Sequence, residues 1–162
     1  MSTETKEPTL YQKLGGYDNI SAFSSAAFRK AFSHPKIKHI WAHMGEDRFH
    51  EEHKNFSDFL AREWGGPIVY KGRSMLTAHR GMGLTQEHWD GMMDCLYATY
   101  EDFGLPKDLQ IEINATMDKF KGQVLGSPSF RDVVVSHPEM DPIKGMRSVG
   151  VFWPAPNAKK SG

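Results

Sequence analysis

The sequence predicts an all-α protein. Apolar residues recur at spacings of three and four in each long segment, glycine or proline closes the segments, and neither a strand-rich region nor an internal repeat is visible. At 162 residues the chain is sized for one compact domain with a real core.

Residues 1–9 read as a loose, charged N-terminal arm. Residues 10–14 form a short amphipathic turn, broken by Gly15-Gly16. From Asn19 onward, Ile20, Phe23, Ala27, Phe28, Ala31 and Phe32 line one helix face, and Pro35 ends it. A short segment, 36–44, carries Ile37, Ile40 and Trp41. The next helix is expected from Glu46 or Asp47, where acidic side chains suit the positive end of the helix dipole. Its stripe is Phe49, His53, Phe56 and Leu60, with Phe59 flanking, and it stops at Trp64-Gly65-Gly66-Pro67.

After an irregular stretch over 68–73, a brief helix over 74–80 puts Met75, Ala78 and His79 on one face, closed by Gly81 and Gly83. Thr85 caps a helix with the stripe Trp89, Met92, Met93, Leu96, Tyr100 and Phe103. Gly104 ends it, and Pro106 opens a last helix with Leu109, Ile113, Met117, Phe120 and Val124 inside. Beyond Gly126 five prolines interrupt any period, so 127–162 read as a Pro-punctuated tail. Within it, 133–135 and 149–153 are apolar enough to dock on the helical body or a partner.

Twenty Lys+Arg against twenty Asp+Glu leave no net charge, which argues against a nucleic-acid or membrane-surface binder. The one cysteine, Cys95, excludes an internal disulfide, a CxxC zinc knuckle and a thiolate-ligated iron–sulfur cluster, and there is no CxxCH for covalent haem attachment. Cys95 reads as a small packing residue in mid-helix. The N-terminus lacks the apolar run of a signal peptide and no stretch approaches membrane-spanning length, so a cytoplasmic location is expected.

Among eight histidines, His34, His39, His43, His88 and His137 fall at predicted termini or loops, where a solvated ring is the plain expectation. His53 and His79 lie on apolar stripes, with His50 the alternative to His53 if the helix phase slips. Either is taken singly as a core histidine bonded to a carbonyl. Two histidines without a thiolate fall short of a zinc site, whereas haem iron asks the protein for one axial imidazole. Ten Phe, nine Met and four Trp would then wall a flat apolar cofactor, with Lys71 or Arg73 at its propionates; the same surplus also describes an ordinary helical core. Ser24-Ser25, Ser57-Asp58 and Glu51-Glu52 stand in no fixed relation to a histidine that would mark a triad or an acid pair.

Three motifs in order, Leu10-Tyr11-Gln12-Lys13-Leu14-Gly15-Gly16, Trp64-Gly65-Gly66-Pro67 and Tyr70-Lys71-Gly72-Arg73-Ser74-Met75 leading to Ala78-His79, resemble the truncated haemoglobins, the last in the form of group I. The resemblance covers about residues 9–126. It implies a truncated globin-like two-over-two helical sandwich with a C-terminal extension, around non-covalent haem b, with His79 as the proximal iron ligand. Met75 would face the haem one turn earlier, Trp41 would take the place of the family's haem-packing aromatic, and Met92 would take a distal-pocket place. Tyr70 belongs to the same motif. The family's Phe-Tyr pair, whose phenol bonds bound oxygen, reads Ala27-Phe28 here, so that donor is missing. Glu52, His53 and Phe56 would approach the sixth coordination position, with His53 as the distal polar residue, either bonding a diatomic ligand or ligating iron itself.

The function so implied is reversible binding of oxygen, carbon monoxide or nitric oxide, for transport or sensing. Nitric oxide dioxygenase or peroxidase chemistry, with an electron-donor reductase as partner, would use the same iron. The alternative from another class is a cofactor-free helical protein-interaction module.

Overall fold

The computed structural model describes residues 7–41 and 45–126. The tail from 127, most of the N-terminal arm, His43 and His137 lie outside the described residues. The helices are α1 (Leu10–Lys13), α2 (Tyr17–Ala31), α3 (Glu46–Glu63), α4 (Met75–His79), α5 (Gln86–Phe103) and α6 (Lys107–Val124), with a 3-10 turn at Lys38–Trp41. No strand occurs among the described residues. The chain divides into two compact units. One holds residues up to 72 together with 90–117, and the other holds 73–89 together with the chain from 118.

In the first unit α2 and α3 pack along their lengths. Ile20, Phe23, Ala27 and Ala31 of α2 are buried, as are Phe49, Phe59 and Leu60 of α3, so Phe59 is core and not merely flanking. The antiparallel pairing follows from the contacts. Tyr17 Oη donates to Asp58 Oδ1 (2.7 Å) at one end, and the Phe32 and Phe49 rings meet edge to face (5.2 Å) at the other. Lys54 Nζ donates to the second Asp58 oxygen (2.7 Å). Helix α2 starts at Tyr17, earlier than its apolar stripe, because Gly16 is its N-cap.

Leu96 and Tyr100 of α5 and Leu109 and Ile113 of α6 complete this core, with Phe23 and Tyr100 stacked at 5.9 Å and the Tyr100 hydroxyl donating to Asn114 (2.7 Å). The expected stripes extend further than the core does. Phe103 is exposed, and Met117, Phe120 and Val124 are only half-buried. Cys95 is buried with Ala31 and Ile37, and burial pushes its thiol up to about 11, so it packs as an inert apolar group. His34 also departs from expectation. It is mostly covered, takes the Lys36 amide on Nδ1 (3.1 Å) and gives its Nε2 proton to Asp94 (3.1 Å), so it joins the turn after α2 to α5.

The first two motifs meet in this unit. The Tyr11 amide donates to the Trp64 carbonyl (2.9 Å), and Thr9, which caps α1, lies against Gly65. A side chain at Gly66 would run into the Tyr11 ring and come within 2.9 Å of the Ala61 carbonyl. The glycine pair therefore exists so that the chain can lie flat on α1 as it leaves α3. In the second unit, Lys121 Nζ near the end of α6 lies over the Trp89 ring near the start of α5 at 5.7 Å.

Gly66→Ala should lower stability by about 1–3 kcal/mol through overpacking, read by chemical denaturation. Asp58 yields a pH-dependent test. Burial alone would raise its pKa, but the bonds from Lys54 and Tyr17 and the ammonium charge outweigh that and hold it below the usual value. A depressed folded pKa stabilises fully above the unfolded value of about 3.9 and is lost as pH falls through the folded one. Tyr17→Phe should therefore cost about 1.5–3 kcal/mol at neutral pH, with the deficit shrinking below about pH 4.

Candidate functional site

Phe28 is the hub of an aromatic cluster in the first unit. Its ring meets Phe56 of α3 edge-on at 5.2 Å and Trp41 at 6.0 Å, and Trp41 also contacts Phe32 at 5.6 Å. Trp41 reaches this position because the 3-10 turn follows directly on Ile37, which is buried in the core. Ile40, Trp41 and Met92 then pack on the Ala31–Ile37–Cys95 cluster. A Cβ at Gly91 would lie 3.1 Å from Ile37, so Gly91 lets α5 come close to the turn that carries Ile37. Phe28, Trp41, Phe56 and Met92 are all half-buried, an apolar surface that the fold gathers but does not bury.

His53 of α3 bonds back to α2. Its Nε2 lies 2.8 Å from the Ser21 carbonyl of α2, with the Ser21 hydroxyl at 3.5 Å, and its ring stacks on Phe49 at 5.9 Å and 8°. A carbonyl only accepts, so Nε2 carries the proton and the imidazole ties α2 to α3. The other face of the chemistry on α3 is acidic. Glu52, one turn before Phe56, pairs with Arg48 (3.2 Å), which also reaches Glu51 (3.7 Å). His50 is exposed, 3.9 Å from Glu46.

The third motif builds a different object. Tyr70 packs its ring edge-on against Phe59 (5.5 Å), and Gly72 is the residue against which its hydroxyl end lies, where a Cβ would collide. Lys71 and Arg73 are exposed. In the second unit, Ser74 caps α4 by accepting the Thr77 amide (3.1 Å). Four residues after Met75, His79 gives its Nδ1 proton to the Met75 carbonyl at 2.8 Å. That bond fixes the tautomer with the lone pair on Nε2, the arrangement in which a neutral histidine ligates a metal. Met75 and His79 are both half-buried.

The structure thus brings Phe28, Trp41, Phe56 and Met92 together in one unit and joins Met75 to His79 in the other. Sequence reasoning missed the Ser21 carbonyl as the His53 partner, the Arg48–Glu52 pair and Ser24, whose buried Oγ has no hydrogen-bond partner among the described residues. The i,i+4 spacing of Arg48 and Glu52 was the available signal for the pair. The other two depend on which helix lies opposite, which periodicity does not reveal. Among the described residues no group of three His, Cys, Asp or Glu side chains is placed to hold a metal ion alone, and no helix is long and apolar enough to cross a membrane.

Residues 9–126 match the family model described as bacterial-like globin. A group 1 truncated hemoglobin of Synechocystis sp. is 33% identical over 133 residues, 78% of this chain and 97% of that protein. The crystal structure of truncated hemoglobin from Tetrahymena pyriformis in its Fe(III) form is 30% identical and superposes with a TM-score of 0.68 over 74% of this chain and 100% of that one. At 23% identity, the 2/2 hemoglobin from Synechococcus sp. supports the fold alone, with a TM-score of 0.66 over 73% and 98% of the two chains. The family generally binds haem and diatomic gases such as oxygen. With its family model, its relatives and its helical fold in agreement, this chain belongs to the truncated haemoglobins, the two-over-two branch of the globins.

Proposed function

We propose that the protein is a haem b protein that reversibly binds oxygen and other diatomic ligands, with His79 as the proximal iron ligand. The observation that carries this reading is the His79 Nδ1–Met75 carbonyl bond, which holds the ring in the ligating tautomer, and the motif's resemblance implies the same residue as the axial histidine.

The residues present suit haem. A porphyrin needs one axial imidazole and broad apolar contact, and the fold leaves Phe28, Trp41, Phe56, Tyr70, Met75 and Met92 half-buried. Lys71 and Arg73, on either side of Gly72 in the motif, are exposed cations of the kind that pairs with propionates. Attachment is non-covalent as far as thiols go, because Cys95 is buried in the α2–α5 core.

Haem, when bound, would supply an iron that takes a diatomic ligand. The protein's part is distributed over its own side chains. His79 would hold the metal, the Met75 carbonyl would keep the ring oriented, and the aromatic rings would exclude water, which would slow oxidation. Iron ligation by His53 is not part of this reading, since its Nε2 would have to leave Ser21.

The test is an absorbance spectrum of the purified chain, ferric, then reduced, then with carbon monoxide. A Soret band that shifts and sharpens with carbon monoxide is expected. His79→Ala should abolish stable hemin uptake, or leave uptake that added imidazole restores to the native spectrum. A native chain that takes up no hemin would refute the proposal.

A further inference from the structure

Helices α5 and α6 are held side by side by the Tyr100 hydroxyl, which donates to the Asn114 amide oxygen (2.7 Å), and the Gln110 amide closes on the Leu105 carbonyl (3.0 Å) between them. On their solvent side, wholly within the first unit, they leave a groove of about 370 Å³. Tyr97 and Glu101 of α5 form one wall, and Lys107, Gln110, Ile111 and Asn114 of α6 form the other. Ile111 is 63% exposed and Tyr97 49%, so each wall presents a large apolar group to water. The charges on the walls are placed against their own helices. Glu101 lies in the last turn of α5, at the negative end of its dipole, and Lys107 is the first residue of α6, at the positive end. Neither side chain has an ion-pair or hydrogen-bond partner among the described residues.

We propose that this groove is where a second copy of the chain docks, giving a two-fold homodimer, independently of the haem reading. A two-fold interface needs one patch that is complementary to itself. Here each wall carries what the other lacks: a ring and a carboxylate on α5, an aliphatic group and an ammonium on α6. A copy turned so that its α6 lies over this α5 sets Glu101 of each chain towards Lys107 of the other, and Tyr97 of each towards Ile111 of the other. One orientation thus satisfies both pairings twice. The apolar pair supplies the burial and the charges fix the register. An uncharged segment such as the chain's own 149–153 would cover Tyr97 and Ile111 but leave both charges unmatched, which is why a second copy is the better occupant.

The experiment is sedimentation equilibrium of the full chain as purified, over a concentration series, which should show a monomer–dimer equilibrium. Ile111→Asp should leave monomer only. Glu101→Lys and Lys107→Glu, each alone, set like charges against each other across the interface and should raise the dissociation constant about a hundredfold. The double exchange, Glu101→Lys with Lys107→Glu, should restore it to within about tenfold. Both single changes suit the helix dipoles better than the native residues do, so a lost dimer is not a lost fold, and unchanged helical circular dichroism checks this. A photo-crosslinking residue at position 111 should join two chains. A monomer at every concentration up to the millimolar range, a dimer indifferent to these substitutions, a double exchange that stays monomeric, or a crosslink from position 111 to the chain's own residues 127–162 would each overturn the proposal.

Discussion

Helices α2 and α3 are held at both ends and in the middle by three unlike contacts: the Tyr17–Asp58–Lys54 bonds, the His53–Ser21 bond and the Phe32–Phe49 edge contact. Between them the helices meet through small residues, with Ser24, Ala27 and Ser57 all fully buried. Because this packing sets where Phe28 and Phe56 stand relative to each other, it also sets the apolar surface that Trp41 and Met92 extend. Tyr17, Asp58, Lys54 and His53 are the polar groups that fasten the two helices.

The three motifs divide the labour differently. The first two, 10–16 and 64–67, are architectural. Their glycines admit the Tyr11 ring and Thr9, and their single backbone bond, Tyr11 to Trp64, fixes the start of the chain to the end of α3. The third is chemical, since a serine cap, a short helix and a histidine four residues after a methionine are what give an imidazole a defined tautomer.

Much of this was legible before the structure. Glycine and proline marked the helix ends, the acidic residues placed the α3 start at Glu46 or Asp47, where it begins at Glu46, and the order of motifs pointed to the family. Periodicity was less successful at telling core from half-buried surface. It placed His53 on the inward stripe, where it is, but could not show that a backbone carbonyl of α2 would be its partner. It also carried the α6 stripe through Met117, Phe120 and Val124, although only Leu109 and Ile113 of that helix are buried. An apolar face tells a helix which way to turn, and the number of residues it loses to solvent is decided by neighbours from anywhere in the chain. His34 is the plainest case: nothing in its local sequence announces Asp94, sixty residues away.

The partner that orients His79 is a main-chain oxygen, and main-chain oxygens do not mutate. Whatever side chain stands at 75, its carbonyl remains one helical turn before the imidazole, so the tautomer is a property of the backbone of α4 and its serine cap. Change at that position is thereby uncoupled into one variable, the bulk and softness of what covers the neighbouring surface. The tautomer of His79 is inherited from the main chain of its own helix.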